Sequence, residues 1–460
     1  MAQIGVVGAG YVGLVTAACL ADMGHRVSVI EQDARKVASL RLGDIPIAEE
    51  GLEALWARGL KKGSLTITGS YAQGLRSAEF IFVCVGTPSG EDGVPDLSYV
   101  LYAAEGIALH AEGQPTVVLK STVPVGTGAT VAETIAMRHP SGRRFQVASN
   151  PEFLREGYAV ADFLHPDRIV VGATDPEIAR AVASLYEGLD APIILTDSRT
   201  AELIKYASNA FLATKISFMN EIAGLCESVD VDVSDVSRGM GMDPRIGPKF
   251  LAAGLGWGGS CLPKDTKALK AMGIQTQVEM PLLSAAMRVN EEQPRRVTDK
   301  LDTLLGGLSH KTVALWGLTF KEGTDDFRES PAIALAQALL ARGCAVRVYD
   351  PVAATKSTPP MEGVSYSQDP YQAAEGASAV VLATAWPEFL HMDMSRVLYL
   401  MDGNVFIDAR NALVPSELRG MGFVYEGIGR NGATQGHWAP HQAAHADPDT
   451  VAQPVALRVG

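Results

Sequence analysis

The first thirty-one residues constrain the fold most. Ile4-Gly5-Val6-Val7 is a short apolar run, and Gly8-Ala9-Gly10-Tyr11-Val12-Gly13 follows it directly. Residues 11–23 then read as an apolar, alanine-rich helix ending at Gly24, and Arg26-Val27-Ser28-Val29-Ile30 reads as a second strand. Glycines at three fixed places in a strand-to-helix turn permit the tight turn, close approach of a pyrophosphate, and close packing of helix on sheet. The helix N-terminus offers N–H groups and the positive end of its dipole to the phosphate. Glu31 ends the second strand, where an acid bonds a ribose 2′-hydroxyl. Its charge repels a 2′-phosphate, which favours NAD over NADP; the nearby Lys36 pulls the other way. Gly8, Gly10, Tyr11, Val12, Gly13, Glu31 and Lys36 are therefore the first candidate cofactor residues.

The same alternation continues. Residues 80–85 and 116–119 read as further apolar strands, which implies an α/β fold with a doubly wound parallel sheet. Residues 198–229 form an uninterrupted helical stretch, long enough to link domains or to form a dimer seam, and more helix follows at 282–305. Strands then resume at 312–317, 345–350, 379–384 and 405–408, and Ser330-Pro331 starts a helix as N-cap and first residue. This second unit lacks the G-x-G-x-x-G turn, so it reads as a Rossmann-like domain that holds no pyrophosphate in the usual pose. The expected organisation is a dinucleotide-binding domain at 1–197, a central helical region at 198–305, a second Rossmann-like domain at 306–429, and a disordered tail at 430–460.

A chain of 460 residues has room for about two or three such domains. Its net charge of −13 argues against nucleic-acid binding, which needs a basic surface. Cys19, Cys84, Cys226, Cys261 and Cys344 are widely spaced and form no C-x-x-C, so neither disulfides nor a structural zinc is expected. All but Cys261 sit in apolar surroundings and read as buried small hydrophobes. Residues 4–21 are uncharged and about as long as a membrane span, but the four glycines at 5, 8, 10 and 13 fit a strand–turn–helix better. No membrane association is expected, and the expected location is the cytoplasm. His437, His441 and His445 recur every four residues, but Pro440 and Pro448 oppose a helix, so no metal is expected there.

Chemistry concentrates at Gly258-Gly259-Ser260-Cys261-Leu262-Pro263-Lys264-Asp265. A nucleophilic thiolate needs a positive charge or backbone N–H groups to lower its pKa. Glycines let a substrate approach the backbone. A nicotinamide cofactor with a cysteine nucleophile points to oxidation of a carbon to the acid level through a thioester. A one-step 2-hydroxy-acid dehydrogenase needs no cysteine. A non-catalytic nucleotide-sugar- or NAD-binding protein would lack the nucleophile.

Three further groups carry two readings each. Thr87, in Val85-Gly86-Thr87-Pro88, and Thr122, in Lys120-Ser121-Thr122-Val123-Pro124, follow sheet strands; they bond a cofactor or water, or they are turn residues. Glu152 and Glu156, in Asn150-Pro151-Glu152-Phe153-Leu154-Arg155-Glu156-Gly157, supply a general base, or they face solvent at a helix start. Lys205 and Asn209 share one helix face; they hold an oxyanion, or the lysine is merely solvated.

Taken in order, these motifs, with Arg245-Ile246-Gly247-Pro248-Lys249-Phe250-Leu251 and Phe320-Lys321, resemble the nucleotide-sugar 6-dehydrogenases of the UDP-glucose/GDP-mannose dehydrogenase family. The resemblance runs from Ile4 to about Gly429. It implies two NAD-dependent oxidations of a sugar C6 hydroxymethyl to a uronic acid, on a homodimer built around the long helix. By resemblance, Cys261 forms the thiohemiacetal and thioester, and Lys205 and Asn209 steady the oxyanion. Asp265 and Thr122 handle water and protons, and Glu152 is the base for hydrolysis. The resemblance places Thr87, Thr122, Glu156, Lys264 and Arg328 at the cofactor. It places Glu152, Phe153, Leu154, Arg155, Glu156, Lys205, Asn209, Gly258 and Lys321 at the substrate. The segment Phe250-Leu251-Ala252-Ala253-Gly254 matches the nucleotide-sugar clamp, and Arg245 matches a residue that reaches the neighbouring subunit's site. The clamp reads as the branch that takes UDP-glucose. Leu262 leans toward the GDP-mannose branch, and a UDP-N-acetylhexosamine is a further alternative. Trp257 and Glu31 also depart from the usual residues, the latter being one methylene longer than the usual Asp.

Overall fold

The computed structural model describes residues 1–90, 92–353 and 361–430. The expected tail and its three histidines lie outside the described residues, apart from Arg430.

The first sheet has eight strands: β1 (Gln3–Val7), β2 (Arg26–Ile30), β3 (Leu65–Thr68), β4 (Phe80–Val83), β5 (Thr116–Leu119), β6 (Gln146–Ser149), β7 (Ile169–Ala173) and β8 (Ile193–Thr196). They lie in the order β3-β2-β1-β4-β5-β6-β7-β8. The order reverses between β1 and β4, which opens a crevice at their carboxyl ends. After their first residues β1, β4 and β5 are apolar because helices cover both faces of the sheet. The expected doubly wound parallel sheet is present, with one antiparallel pairing in it. β7 runs antiparallel to β6, with Ala148 opposite Ala173 and Ser149 opposite Gly172. The chain from β6 to β7 is not a simple helical crossover. It carries the extended segment 150–157 before the short helix Ala159–Leu164.

The second sheet has six strands: β9 (Thr312–Trp316), β10 (Ala345–Tyr349), β11 (Ser365–Tyr366), β12 (Ala379–Leu382), β13 (Val405–Asp408) and β14 (Val424–Gly427). All are parallel, in the order β11-β10-β9-β12-β13-β14. The following helix, Pro331–Ala341, is capped by Ser330, whose side chain accepts from Ala332 N, with Pro331 in its first turn.

The long helix, Ser198–Val229, joins the two sheets. Its 32 residues span roughly 48 Å. Asp197 caps it, accepting from Thr200 N. Near its start, the Glu202 carboxylate accepts from Gly126 N (2.6 Å), Gly128 N (3.0 Å) and Ser149 Oγ (3.1 Å) of the first domain. Near its end, Glu227 accepts from Gly429 N (2.8 Å) and pairs with Lys300 (2.6 Å). Helix Pro281–Leu305 packs across it, where Ser217 Oγ donates to Ala286 O (2.7 Å). Among the described residues, no helix is long and apolar enough to cross a membrane. Residues 4–21 are a strand, a turn and the helix Tyr11–Asp22.

Candidate active site

The glycine turn has one job for each glycine. Gly8 has φ +98°, and a Cβ there would lie 2.8 Å from Cys84 O. A Cβ on Gly13 would lie 2.0 Å from Gly8 O, so only glycine lets the helix sit this close to the strand. A Cβ on Gly10 would meet nothing within 4 Å. Nothing in the protein itself requires glycine at that place, which leaves open space against the turn for a ligand. Glu31 Oε2 accepts from Ala9 N (3.3 Å) and pairs with Lys36 (3.5 Å). These residues fit a dinucleotide: a free helix N-terminus, a bare backbone at Gly10, and an acid at the end of β2.

Segment 150–157 leads from this turn to the cysteine. Tyr11 OH donates to Glu49 and accepts from Gly157 N (2.9 Å). Asn150-to-Gly157 is a loop and not a helix start, which removes the reading of Glu152 and Glu156 as an exposed helical pair. Glu152 is buried; its Oε2 accepts from Leu154 N (2.6 Å), and its Oε1 lies 3.0 Å from Lys205 Nζ. Lys205 is only 3% exposed, so it is not a solvated lysine. The ion pair holds the Glu152 carboxyl below its usual range and the Lys205 ammonium above its own, against the effect of burial. One turn along, Asn209 Nδ2 donates to Asp265 Oδ2 (2.6 Å), and Lys264 Nζ pairs with Asp265 Oδ1 (2.6 Å).

Cys261 precedes helix Leu262–Gln275 and is half-buried, whereas Cys19, Cys84, Cys226 and Cys344 are buried. The glycines before it are packed and not merely flexible. A Cβ on Gly258 would lie 2.2 Å from Glu329 O, and one on Gly259 would strike the Phe320 ring. Trp257 is tied down by Asn290 (2.7 Å to Trp257 N) and by its own indole N–H on Ser217 Oγ (2.9 Å). The surroundings of the Cys261 thiol do not lower its pKa in the chain alone. Burial first, then the charge of Glu152, pushes it up to about 11; Lys205 only partly offsets this, and Asp265 also raises it.

The second domain closes the site from the other side. Glu156 Oε1 accepts from Ser260 Oγ (2.7 Å), its Oε2 lies 3.3 Å from Thr324 Oγ1, and Arg328 approaches to 3.6 Å while pairing with Asp326. Lys321 Nζ donates to Glu156 O (2.5 Å). Arg410 donates to Ala383 O, Gly256 O and Phe320 O, and so ties the second sheet to the cysteine loop.

Models of the UDP-glucose/GDP-mannose dehydrogenase family match in sequence: its NAD binding domain at residues 2–190, its central domain at 199–292 and its UDP binding domain at 314–415. The chain belongs to this family. It is 46% identical over 438 residues to the UDP-glucose 6-dehydrogenase of Pseudomonas aeruginosa, covering 92% of this chain and 97% of that one. It is 43% identical over 429 residues to UDP-glucose 6-dehydrogenase YwqF of Bacillus subtilis, covering 93% and 98%. The solved UDP-glucose dehydrogenase of the hyperthermophilic archaeon Pyrobaculum islandicum superposes with a TM-score of 0.86 at 41% identity, covering 94% and 98%. This family member is therefore an oxidoreductase with a nicotinamide-cofactor domain and a domain for a nucleotide sugar.

Not every candidate joins the cluster. Thr87 Oγ1 donates to Thr122 O (2.9 Å), and Thr122 lines a small cavity with Ser121, Ser149, Pro151 and Lys205. The Phe153 ring lies under the Arg168 guanidinium (3.7 Å) and 5.4 Å from Lys205 Nζ. Arg155 is committed to Asp162 (2.6 Å) and stacks over the Tyr158 ring, which Lys321 Nζ also approaches. Arg245 is exposed and held by Asp243 (2.6 Å), outside this chain's cluster. In the clamp, Phe250 has φ +64°, Leu251 and Ala253 are buried, Ala252 is exposed, and Gly254 N donates to Asn220 Oδ1 (2.8 Å). Sequence reasoning missed Ser260, Glu49 and Arg410 as site residues. Ser260 lies inside the motif it quoted, but its partner is 104 positions away.

Proposed function

We propose that this chain oxidises UDP-glucose twice at C6, giving UDP-glucuronate, through a thiohemiacetal and a thioester on Cys261. The observation that carries the reading is the convergence on one thiol of two tethered pairs, Lys205–Glu152 and Asn209–Asp265, beside the dinucleotide turn. Bound at Gly8, Gly10, Gly13 and Glu31, NAD would supply the hydride acceptor for both oxidations.

The chain's own groups do the rest. Lys205 and Asn209 present an ammonium and an amide to the oxygen on C6 as it gains charge. Cys261 Sγ adds to the aldehyde carbon and keeps it in the site, so the second oxidation yields a thioester instead of a released aldehyde. Glu152, kept ionised by Lys205, takes a proton from the water that attacks the thioester, with Asp265 and Thr122 beside the water's path. The sulfur then leaves as the acid forms. Lys321, the clamp from Phe250 to Gly254, and Gly258 hold the nucleotide sugar.

The assembly fits a homodimer. Phe211, Phe218 and Leu225 recur every seven residues along the long helix and are 66%, 47% and 58% exposed in the single chain. A second copy of the helix would cover them, and Arg245 would then point to the partner's site. Buried, unpaired cysteines suit the cytoplasm.

Counting NADH per sugar tests the reading. Two per UDP-glucose, with no free aldehyde, is the expected result; one per sugar with aldehyde released would sink it. UDP-glucose should exceed GDP-mannose in kcat/KM by roughly a hundredfold, since a pocket built for one hydroxyl rejects its epimer.

A further inference from the structure

The cysteine turn holds a hydroxyl that the reaction above leaves unused. Ser260 Oγ lies 3.5 Å from Cys261 Sγ and 2.7 Å from Glu156 Oε1. The other carboxylates near the thiol are already engaged. Glu152 takes Lys205 on one oxygen and Leu154 N on the other; Asp265 takes Lys264 and Asn209. Among the described residues, Ser260 is the hydrogen-bond partner of Sγ, and through it the thiol reaches Glu156. That thiol needs a base, because burial opposes its ionisation. The charged groups that face it are Glu152, Asp265 and Lys205, with Arg328 farther off. Glu156 is faced by Asp326 and Arg328, with Lys321 on its backbone oxygen and Tyr11 nearby. Burial, reinforced by the charge of Asp326, raises its carboxyl above the usual range, toward the pH at which a general base works best.

We propose that Ser260 relays the Cys261 thiol proton to Glu156 as Sγ adds to the aldehyde. The Sγ–C6 bond forms, and the carbonyl π pair moves to oxygen, where Lys205 and Asn209 hold it. The thiol proton passes to Ser260 Oγ while the Ser260 proton passes to Glu156 Oε1. Nothing is oxidised in this step. When the thioester is hydrolysed, the departing sulfur regains a proton by the reverse route. Ser260 and Glu156 thus form a proton path distinct from the Glu152–Lys205 pair.

The role rests on the thioester reading, but its test needs no sugar. Alkylation of Cys261 by iodoacetamide, in the full chain, is followed by intact mass across pH, with Cys261→Ala giving the background from other thiols. The wild-type rate should rise in two steps, the lower following ionisation of Glu156 and the upper that of the thiol. Ser260→Ala and Glu156→Gln should each lose the lower step and slow alkylation near neutrality by about tenfold or more. The double variant should be no slower than either single one, as for residues in one path. Ser260→Thr, which keeps a hydroxyl, should restore the step. A lower step that survives in Ser260→Ala, or losses that multiply in the double variant, would overturn the relay. A two-step profile in a protein that leaves UDP-glucose untouched would support the relay and reject the substrate instead.

Discussion

Both sheets begin with the same backbone problem and solve it differently. After β1, Gly8 turns with φ +98° and donates its N–H to Ile30 O (2.9 Å); after β9, Gly317 turns with φ +92° and donates to Tyr349 O (2.8 Å). Both glycines are forced by the strand across the switch point, since a Cβ would meet Cys84 O at 2.8 Å or Thr384 Cβ at 2.3 Å. Beyond that residue the two turns part. In the first, the helix starts at Tyr11 and leaves its N-terminus bare. In the second, the buried Asp350 carboxylate accepts from Leu318 N (2.7 Å), Thr319 N (3.2 Å), Val352 N (2.9 Å) and Ala353 N (3.0 Å). Asp350 follows β10 as Glu31 follows β2, but it points inward and fills with its own carboxylate the place that the first turn leaves open for an anion. The next helix is delayed to Pro331. The freed loop carries Lys321, Thr324 and Arg328 across to Glu156. Moving one acid inward turns a binding turn into a structural one and releases a loop for the other domain's site.

The largest effect should come from removing that inward acid. Asp350→Ala leaves several buried N–H groups without acceptors, and each costs about 1–3 kcal/mol. A loss of roughly 3–5 kcal/mol in urea unfolding is expected, with cofactor affinity of the folded fraction unchanged. A loss below about 1 kcal/mol would show that Asp350 is not the internal substitute for a ligand. Next is Gly13→Ala, which drives a Cβ into Gly8 O. Overpacking of this kind costs about 1–3 kcal/mol and should also spoil the cofactor turn.

How much of this comparison was legible in the sequence depended on distance along the chain. The run Thr116-Val117-Val118-Leu119 and the helix 198–229 coincide with β5 and the long helix, because apolar runs and periodicity are local signals. The Ser330-Pro331 helix start is equally local. By contrast, Ile193–Thr196 is a short, largely exposed edge strand and offered no buried pattern. Ile169–Ala173 did carry an apolar run, but its antiparallel direction depends on where the 150–157 loop travels, which no local pattern records. At the site, Cys261, Glu152 and Lys205 stood out by residue type. Their electrostatics did not, since a thiol beside a lysine reads as acidic until the buried carboxylates of Glu152 and Asp265 are placed next to it. The inward turn of Asp350 was unreadable for the same reason.

Gly10→Ala isolates binding from folding. Its Cβ has open space in the protein alone, so unfolding should change by less than about 0.5 kcal/mol. The same methyl would push the pyrophosphate away from the helix N-terminus. Losing one charge-assisted hydrogen bond there corresponds to about a ten- to hundredfold rise in the Kd for NAD by titration calorimetry. An equal loss of stability and affinity would mean that Gly10 serves packing, as Gly317 does.

The smallest expected effect concerns the outward acid. Glu31 is partly exposed, takes Ala9 N at 3.3 Å and holds Lys36 at 3.5 Å, so it is placed where it would face a ribose without supporting the core. Glu31→Gln should therefore leave stability nearly unchanged, unlike Asp350→Ala. It removes a negative charge from the place where a 2′-phosphate would sit and releases Lys36 toward it. In a partly solvated site, that exchange is worth on the order of 1 kcal/mol, or roughly a fivefold shift in kcat/KM toward NADP relative to NAD. The shift should shrink as salt is raised, because both charges are within reach of counter-ions. It should also largely vanish in Glu31→Gln with Lys36→Ala. A full shift in that double variant would mean that repulsion by Glu31 alone selects NAD, and that the lysine has no part in the choice.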